Sequence, residues 1–107
     1  MRGELITIAL QGDFGKPRPA LVIQADMFSA IDSVTVIPLT STLHDTPLMR
    51  FTLTPSKTNG LQKISQLSID KIQTVQRNKV GKPFGKISNA ELIEVERLVA
   101  VFLGISK

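Results

Sequence analysis

The residues with the most chemistry in them are Lys16-Pro17-Arg18-Pro19, an arginine fixed between two prolines and followed at once by the apolar run Ala20-Leu21-Val22-Ile23. The prolines restrict the backbone on both sides of Arg18, and the apolar run anchors the end of the loop. The guanidinium therefore starts from a defined place. A planar, permanently charged fork held in this way suits a phosphate, whereas a solvated surface arginine would contribute little. The octapeptide alone leaves both readings open.

A second feature is the distribution of charge. The 107 residues carry a formal net charge of +4. Between Lys57 and Lys86 stand seven bases, Lys57, Lys63, Lys71, Arg77, Lys79, Lys82 and Lys86, against one acid, Asp70, which makes that segment +6 and the remainder −2. Such an excess concentrates polyanions near a surface, although lysines also crowd ordinary solvated faces. There is no Tyr or Trp to stack on a nucleobase, and the five Phe residues could all be core. The absence of cysteine rules out disulfides, thiolate nucleophiles and cysteine zinc sites, and a lone histidine, His44, rules out a multi-histidine metal centre. Catalysis would have to come from Arg, Lys, Asp, Glu, Ser, Thr, Gln or His44, and no cofactor is expected.

The elements that must position these groups are short. Hydrophobic residues make up 42% of the chain, enough for one modest core, so a single domain over residues 1–107 is expected. No run reaches the ~18 apolar residues of a membrane span, and the start lacks a secretory signal, which reads as a cytoplasmic protein with no membrane partner. Residues 3–10 form a β-rich run ending in the turn residues Gln11-Gly12-Asp13-Phe14-Gly15. Residues 19–24 read as a second strand buried on both faces, followed by a short helical turn at 25–29. The third strand, 34–40, contains Pro38, which predicts an edge or a bulge there, and leads through Thr40-Ser41-Thr42 into a polar loop around His44. Residues 49–54 alternate, with Met49, Phe51 and Leu53 on one face. Two shorter β segments follow at 64–69 and 72–76.

Ser88-Asn89-Ala90-Glu91 has the spacing of a capping box and predicts a helix start. Leu92, Val95, Val99 and Phe102, with Leu98 and Leu103, form its apolar stripe, and Gly104 is its stop. Five or six short strands and one C-terminal helix predict a small, strongly bent antiparallel sheet or barrel packed by that helix.

The order Arg2-Gly3-Glu4, Arg18-Pro19 leading into Ala20-Leu21-Val22-Ile23, Pro38-Leu39-Thr40-Ser41, and Asp70-Lys71-Ile72-Gln73-Thr74-Val75 resembles the MazF/PemK (Kid) family of type II toxin–antitoxin toxins. The resemblance runs from Arg2 to Gly104. It implies a mainly β, SH3-like small barrel and a homodimer, and a metal-independent endoribonuclease that cuts single-stranded RNA and is restrained by a cognate acidic antitoxin. The family's catalytic arginine falls on Arg18 and its threonine or serine at the end of the third strand on Thr40. RNA contacts are implied at Phe14, Lys16, Ser41, Gln66, Ser68, Asp70, Lys71 and Gln73. The chain departs from the family's Asp-Gln-hydrophobic-Arg/Lys-Thr/Ser motif, since Lys71 stands for the glutamine and Gln73 for the base. Ser68 occupies the position of an arginine present in some members, and the loop before Arg18 is shorter than usual.

In metal-free RNA cleavage the ribose 2′-hydroxyl attacks the adjacent phosphate, and the catalyst must stabilise the charge gathered on the phosphorane. A guanidinium is a poor proton shuttle, so Arg18 is assigned chiefly to charge stabilisation and phosphate orientation, with general acid or base action as the alternative, and Thr40 to a hydrogen bond on a nonbridging oxygen or the attacking hydroxyl. The products would carry 2′,3′-cyclic phosphate and 5′-hydroxyl ends. Asp70 is read as base, RNA contact or partner of a nearby lysine, and His44 as a proton-transfer group or a solvated histidine. The alternatives on the same fold are a gyrase-binding toxin of the CcdB type and a degenerate member that only binds antitoxin.

Overall fold

The computed structural model describes residues 1–9 and 16–106, so the turn expected at 11–15, with Phe14, lies outside the described residues. Seven strands precede one helix: β1 (Glu4–Ile8), β2 (Arg18–Val22), β3 (Ser33–Thr40), β4 (Arg50–Leu53), β5 (Ser65–Ser68), β6 (Gln73–Gln76), β7 (Gly85–Lys86) and α1 (Asn89–Phe102). They form one sheet in the order β4-β5-β3-β2-β1-β7, with β6 also on β3. Every pairing is antiparallel. The segment expected at 25–29 is the 3₁₀ turn Asp26–Phe28. β7 was not expected, because two residues of Gly and Lys carry no alternation.

The sheet bends at β3. The first half of this strand pairs β6, ending at Val36–Gln73, and the second half pairs β5, starting at Leu39–Leu67. Ile37 and Pro38 fall between the two partners, and the 3₁₀ turn Ile69–Lys71 links them. Pro38 lies inside an eight-residue strand, opposite Ala20 of β2, at a local edge between the β6 and β5 pairings. It is accommodated where the other side of β3 has no ladder partner.

The two faces carry separate cores. Leu5, Leu21, Ile23, Ile37, Leu39, Leu53, Leu67 and Ile69 pack with Val95 and Leu98 of α1 on one side. Ile6, Ile8, Ala20, Val22, Val34, Val36 and Val75 form the other cluster, with Val80 against it. The consecutive apolar residues of β2 are thus divided alternately between two cores, as their lack of alternation in polarity predicts. The result is a curled, half-barrel sheet with a helix laid on one face.

Arg2-Gly3-Glu4 ties these layers together. The Arg2 guanidinium donates to the Ile23 carbonyl and pairs with Glu96 of α1, while its backbone N–H donates to Asp26 Oδ1 at 2.9 Å. Gly3, at φ +88°, donates to the Val22 carbonyl at 2.8 Å and accepts from Ile87 at 3.0 Å.

The helix begins as its sequence predicts. The Ser88 hydroxyl accepts from the Glu91 N–H at 3.1 Å, and the Glu91 carboxylate accepts from the Ser88 N–H at 2.9 Å. Ser88→Ala removes one of these bonds and should cost about 1 kcal/mol. A fall in Tm of roughly 4–8 °C in a thermal melt would register it, and an unchanged melt would refute the cap's contribution. Val95 and Leu98 are buried, whereas Phe102 and Leu103 are exposed, so the stripe is core only through its first three turns. Gly104 follows the C-cap at φ +75°. No helix among the described residues is long and apolar enough to cross a membrane.

Candidate active site

Strand register brings Arg18 and Thr40 together. β2 and β3 pair as Ala20–Pro38, Leu21–Ile37 and Val22–Val36, so Arg18 at the start of β2 and Thr40 at the end of β3 lie at the same end of the antiparallel pair. Arg18 is the first residue of β2 and exposed; Thr40 is the last of β3 and half-buried. The Thr40 hydroxyl oxygen accepts from the Thr42 N–H at 3.1 Å. That bond occupies a lone pair and leaves the hydroxyl proton able to point at a ligand.

Both residues line a cleft of about 750 Å³ at this end of the sheet. β1, β2, the end of β3 and the loop after it contribute Thr7, Arg18, Pro19, Leu39, Thr40, Ser41 and Thr42, and the turn after β4, the start of β5 and the residue before β7 contribute Gly60, Leu61, Gln62, Lys63, Ser65 and Phe84 as a second wall. Among the described residues, Arg18 and Lys63 are the cations of the lining, and no carboxylate or imidazole belongs to it. Such a lining attracts an anion and offers hydrogen-bond donors to it.

The second wall is stiffened by Asn59, which is 3% exposed. Its side-chain oxygen accepts from Ser56 N at 2.9 Å and from Leu61 N at 3.0 Å, and its amide donates to the Thr54 carbonyl at 2.8 Å. Gly60 adopts φ +69° with the Phe84 carbonyl against it, where a Cβ would fall 2.6 Å from that oxygen. Lys86 N donates to the Thr58 carbonyl at 3.0 Å, fastening β7 to the same turn.

The structure places the remaining expected site residues differently. Ser41 is in the cleft. Lys16 is exposed just before β2 but is not part of the lining, and Phe14 lies outside the described residues. Gln66 stands next to Thr40 in register, yet it is buried, and its side chain is committed elsewhere. Its oxygen accepts from His44 N at 2.9 Å, and its amide donates to the His44 carbonyl at 3.1 Å and to the Thr52 hydroxyl at 3.2 Å. Gln66 therefore fastens the loop that follows Thr40. Ser68 is buried.

Asp70 accepts from Arg50, an arginine on β4, not from the nearby lysine that was one of its expected partners. Lys71 is exposed on the 3₁₀ turn, and Gln73 begins β6 opposite Val36. Thr40 is four steps along β3 from Val36, a distance of roughly 13 Å at the usual rise of a strand. None of Gln66, Ser68, Asp70, Lys71 and Gln73 lines the cleft. The His44 side chain is exposed in the loop.

Sequence reasoning missed Gln62, Lys63 and Phe84 as members of one site. Lys63 had been counted only within the basic stretch. Phe84 is the single aromatic in Gly81-Lys82-Pro83-Phe84-Gly85-Lys86, a composition in which a large apolar side chain has few local partners to bury it.

A curled half-barrel of short antiparallel strands with one C-terminal helix, whose strand ends bring an arginine and a threonine hydroxyl into one cleft, defines a class of small β protein. Residues 1–103 match the PemK-like, MazF-like toxins of type II toxin–antitoxin systems, and the chain belongs to that family. It is 42% identical over 106 residues to a probable endoribonuclease MazF of Mycolicibacterium smegmatis, covering 98% of this chain and 97% of the relative. Endoribonuclease MazF9 of Mycobacterium tuberculosis is 25% identical over 114 residues, with 97% and 96% covered. Among solved structures, an endoribonuclease in complex with its cognate antitoxin from a mycobacterial species superposes with a TM-score of 0.83 at 19% identity, covering 100% of this chain and 97% of that one. A MazE–MazF complex from Deinococcus radiodurans gives 0.78 at 21% identity, covering 96% and 93%. At these identities the structural likeness is one of fold.

Proposed function

We propose that the chain is the toxin of a type II toxin–antitoxin pair and an endoribonuclease that cleaves single-stranded RNA without a metal ion. The observation that carries this reading is that Arg18 and Thr40, at the ends of the paired strands β2 and β3, line one cleft together with Lys63 and several hydroxyls. The family match and the names of its curated relatives support the substrate class.

The reaction is a transesterification. The 2′-hydroxyl oxygen forms a bond to phosphorus as its proton is removed, the bond from phosphorus to the 5′-oxygen breaks, and the departing oxygen takes up a proton. The products are a 2′,3′-cyclic phosphate and a 5′-hydroxyl, and no water is consumed. Negative charge gathers on the nonbridging oxygens at the phosphorane. Arg18 answers that charge with a bidentate fork, and the Thr40 hydroxyl donates to a nonbridging oxygen or aligns the attacking hydroxyl.

The antitoxin is a small acidic protein whose flexible segment competes with RNA for the basic cleft, and the toxin works as a homodimer. Complexes of MazF structures with antitoxin support the partner.

The test is incubation of the purified protein with mixed-sequence RNA in EDTA, followed by chemical mapping of the cut ends. Cuts at a recurring short sequence, with cyclic phosphate and 5′-hydroxyl termini, are expected. RNA left intact in EDTA and cut on adding a divalent cation would overturn the metal-free mechanism. RNA left intact in both conditions would overturn the nuclease reading.

A further inference from the structure

We infer that Phe84 and Gln62 form a nucleobase subsite in the cleft that also holds Arg18 and Thr40, an assignment that rests on the ribonuclease reading above. Phe84 is 38% exposed and is, among the described residues, the one aromatic in a cleft that also presents cations, hydroxyls, an amide and the aliphatic side chains of Pro19, Leu39 and Leu61. Its surroundings hold it there. The Phe84 N–H donates to the Leu5 carbonyl at 2.9 Å, and the ring edge lies against Gly60, where an added Cβ would come within 3.3 Å of it. An aromatic face kept partly open to solvent beside an anion site matches what stacks a base next to its own phosphate.

Gln62 supplies what a ring face lacks. Stacking tolerates any base, because each has a π-face. A side-chain amide offers both a donor and an acceptor, and so can distinguish the edges of different bases. Gln62 follows Leu61, whose N–H is held by the buried Asn59, and precedes Lys63, whose carbonyl accepts from the Ser65 hydroxyl at 3.0 Å. Backbone held on both sides fixes the point from which the exposed Gln62 side chain projects. Lys63 then adds a charge for a neighbouring phosphate. The ligand of this wall is one nucleotide flanking the scissile bond, its ring on Phe84 and its edge read by Gln62.

The experiment compares wild type with Phe84→Leu, Phe84→Trp and Gln62→Leu on random-sequence RNA in EDTA, recording KM, kcat, cut-site frequencies and a thermal melt for each. Phe84→Leu keeps apolar bulk but removes the π-face, and should raise KM about ten-fold, the loss falling on KM more than on kcat. Phe84→Trp should restore KM to near the wild-type value. Gln62→Leu should relax base preference at one position beside the cut and leave the other positions as they were. Wild-type KM in Phe84→Leu, equal impairment in the leucine and tryptophan variants, or an unaltered cut-site pattern in Gln62→Leu would each overturn the subsite. If wild type cuts no RNA at all, the ribonuclease reading fails and the subsite falls with it, an outcome distinct from wild-type cleavage that the variants leave untouched.

Discussion

Arg18→Ala should reduce RNA cleavage by about 10²–10³-fold or more while leaving the thermal melt nearly unchanged. The size of the first effect follows from where charge develops. A phosphodiester entering the phosphorane gains negative charge on oxygens that the cleft must solvate in place of water, and removing one pre-organised donor from such a site typically costs about 10²–10³-fold. The smallness of the second follows from position. Arg18 is exposed at the first residue of β2, and substitutions at such sites usually stay within ±0.5 kcal/mol. Arg18→Lys keeps the charge but loses the planar fork, and should fall between wild type and alanine.

Thr40→Val gives the internal scale. It removes a hydrogen bond to a charged group, worth about 1.5–3 kcal/mol, so the expected loss is roughly 10- to 100-fold, below that of Arg18→Ala. Initial rates on a mapped RNA, beside circular-dichroism melts of each variant, settle the order. Full cleavage by Arg18→Ala, or its failure to fold, would remove the arginine from the mechanism.

How much of this was legible in the sequence depends on the range of the interactions involved. The start of α1 was legible because the capping box is local, Ser88 and Glu91 satisfying each other's backbone within one turn. β2 was legible because four consecutive apolar residues can be buried only by cores on both faces. Arg18 stood out because the prolines act on their nearest neighbours. The second wall of the cleft was not legible in the same way. The turn 54–61 and the segment around Phe84 are brought together by packing between residues some 25 positions apart, and no local pattern encodes that contact.

The polar residues of β5 show the same limit from the other side. Gln66 and Ser68 read as RNA contacts on a polar edge, yet both are buried. Gln66 is satisfied by the backbone of His44, 22 residues away. Polarity is visible in sequence, but whether a polar side chain faces substrate or closes the frame is decided by a partner elsewhere in the chain. Asp70 is a further case. Its carboxylate is met by Arg50 from β4, so part of what resembles a recognition motif is joined to the strand beneath it.

Gly85→Ala should be among the most destabilising single changes at a position outside the apolar cores, and it tests how the second wall is built. A Cβ at Gly85 would lie 2.1 Å from the Asn59 carbonyl oxygen, 2.3 Å from its carbonyl carbon and 2.9 Å from its Cα. These are backbone atoms, so no rotamer change can make room. The turn cannot yield cheaply either, because the Asn59 side chain fastens Thr54, Ser56 and Leu61 at once. The cost should approach about 3 kcal/mol, the upper end of the usual overpacking range, and a loss of that size in a domain of this length lowers Tm by roughly 12–24 °C. Gly104→Ala provides the contrast. That position has φ +75° but nothing within 4 Å of an added Cβ, so only the left-handed backbone resists, at about 1–2 kcal/mol. Gly85 melting no lower than Gly104 would show that the turn moves freely against β7, and the rigid wall on which Phe84 and Gln62 are placed would go with it. If Gly85→Ala instead melts well below Gly104→Ala and, assayed below its own Tm, shows a raised KM for RNA, then the packing of two backbone segments holds the substrate wall in place.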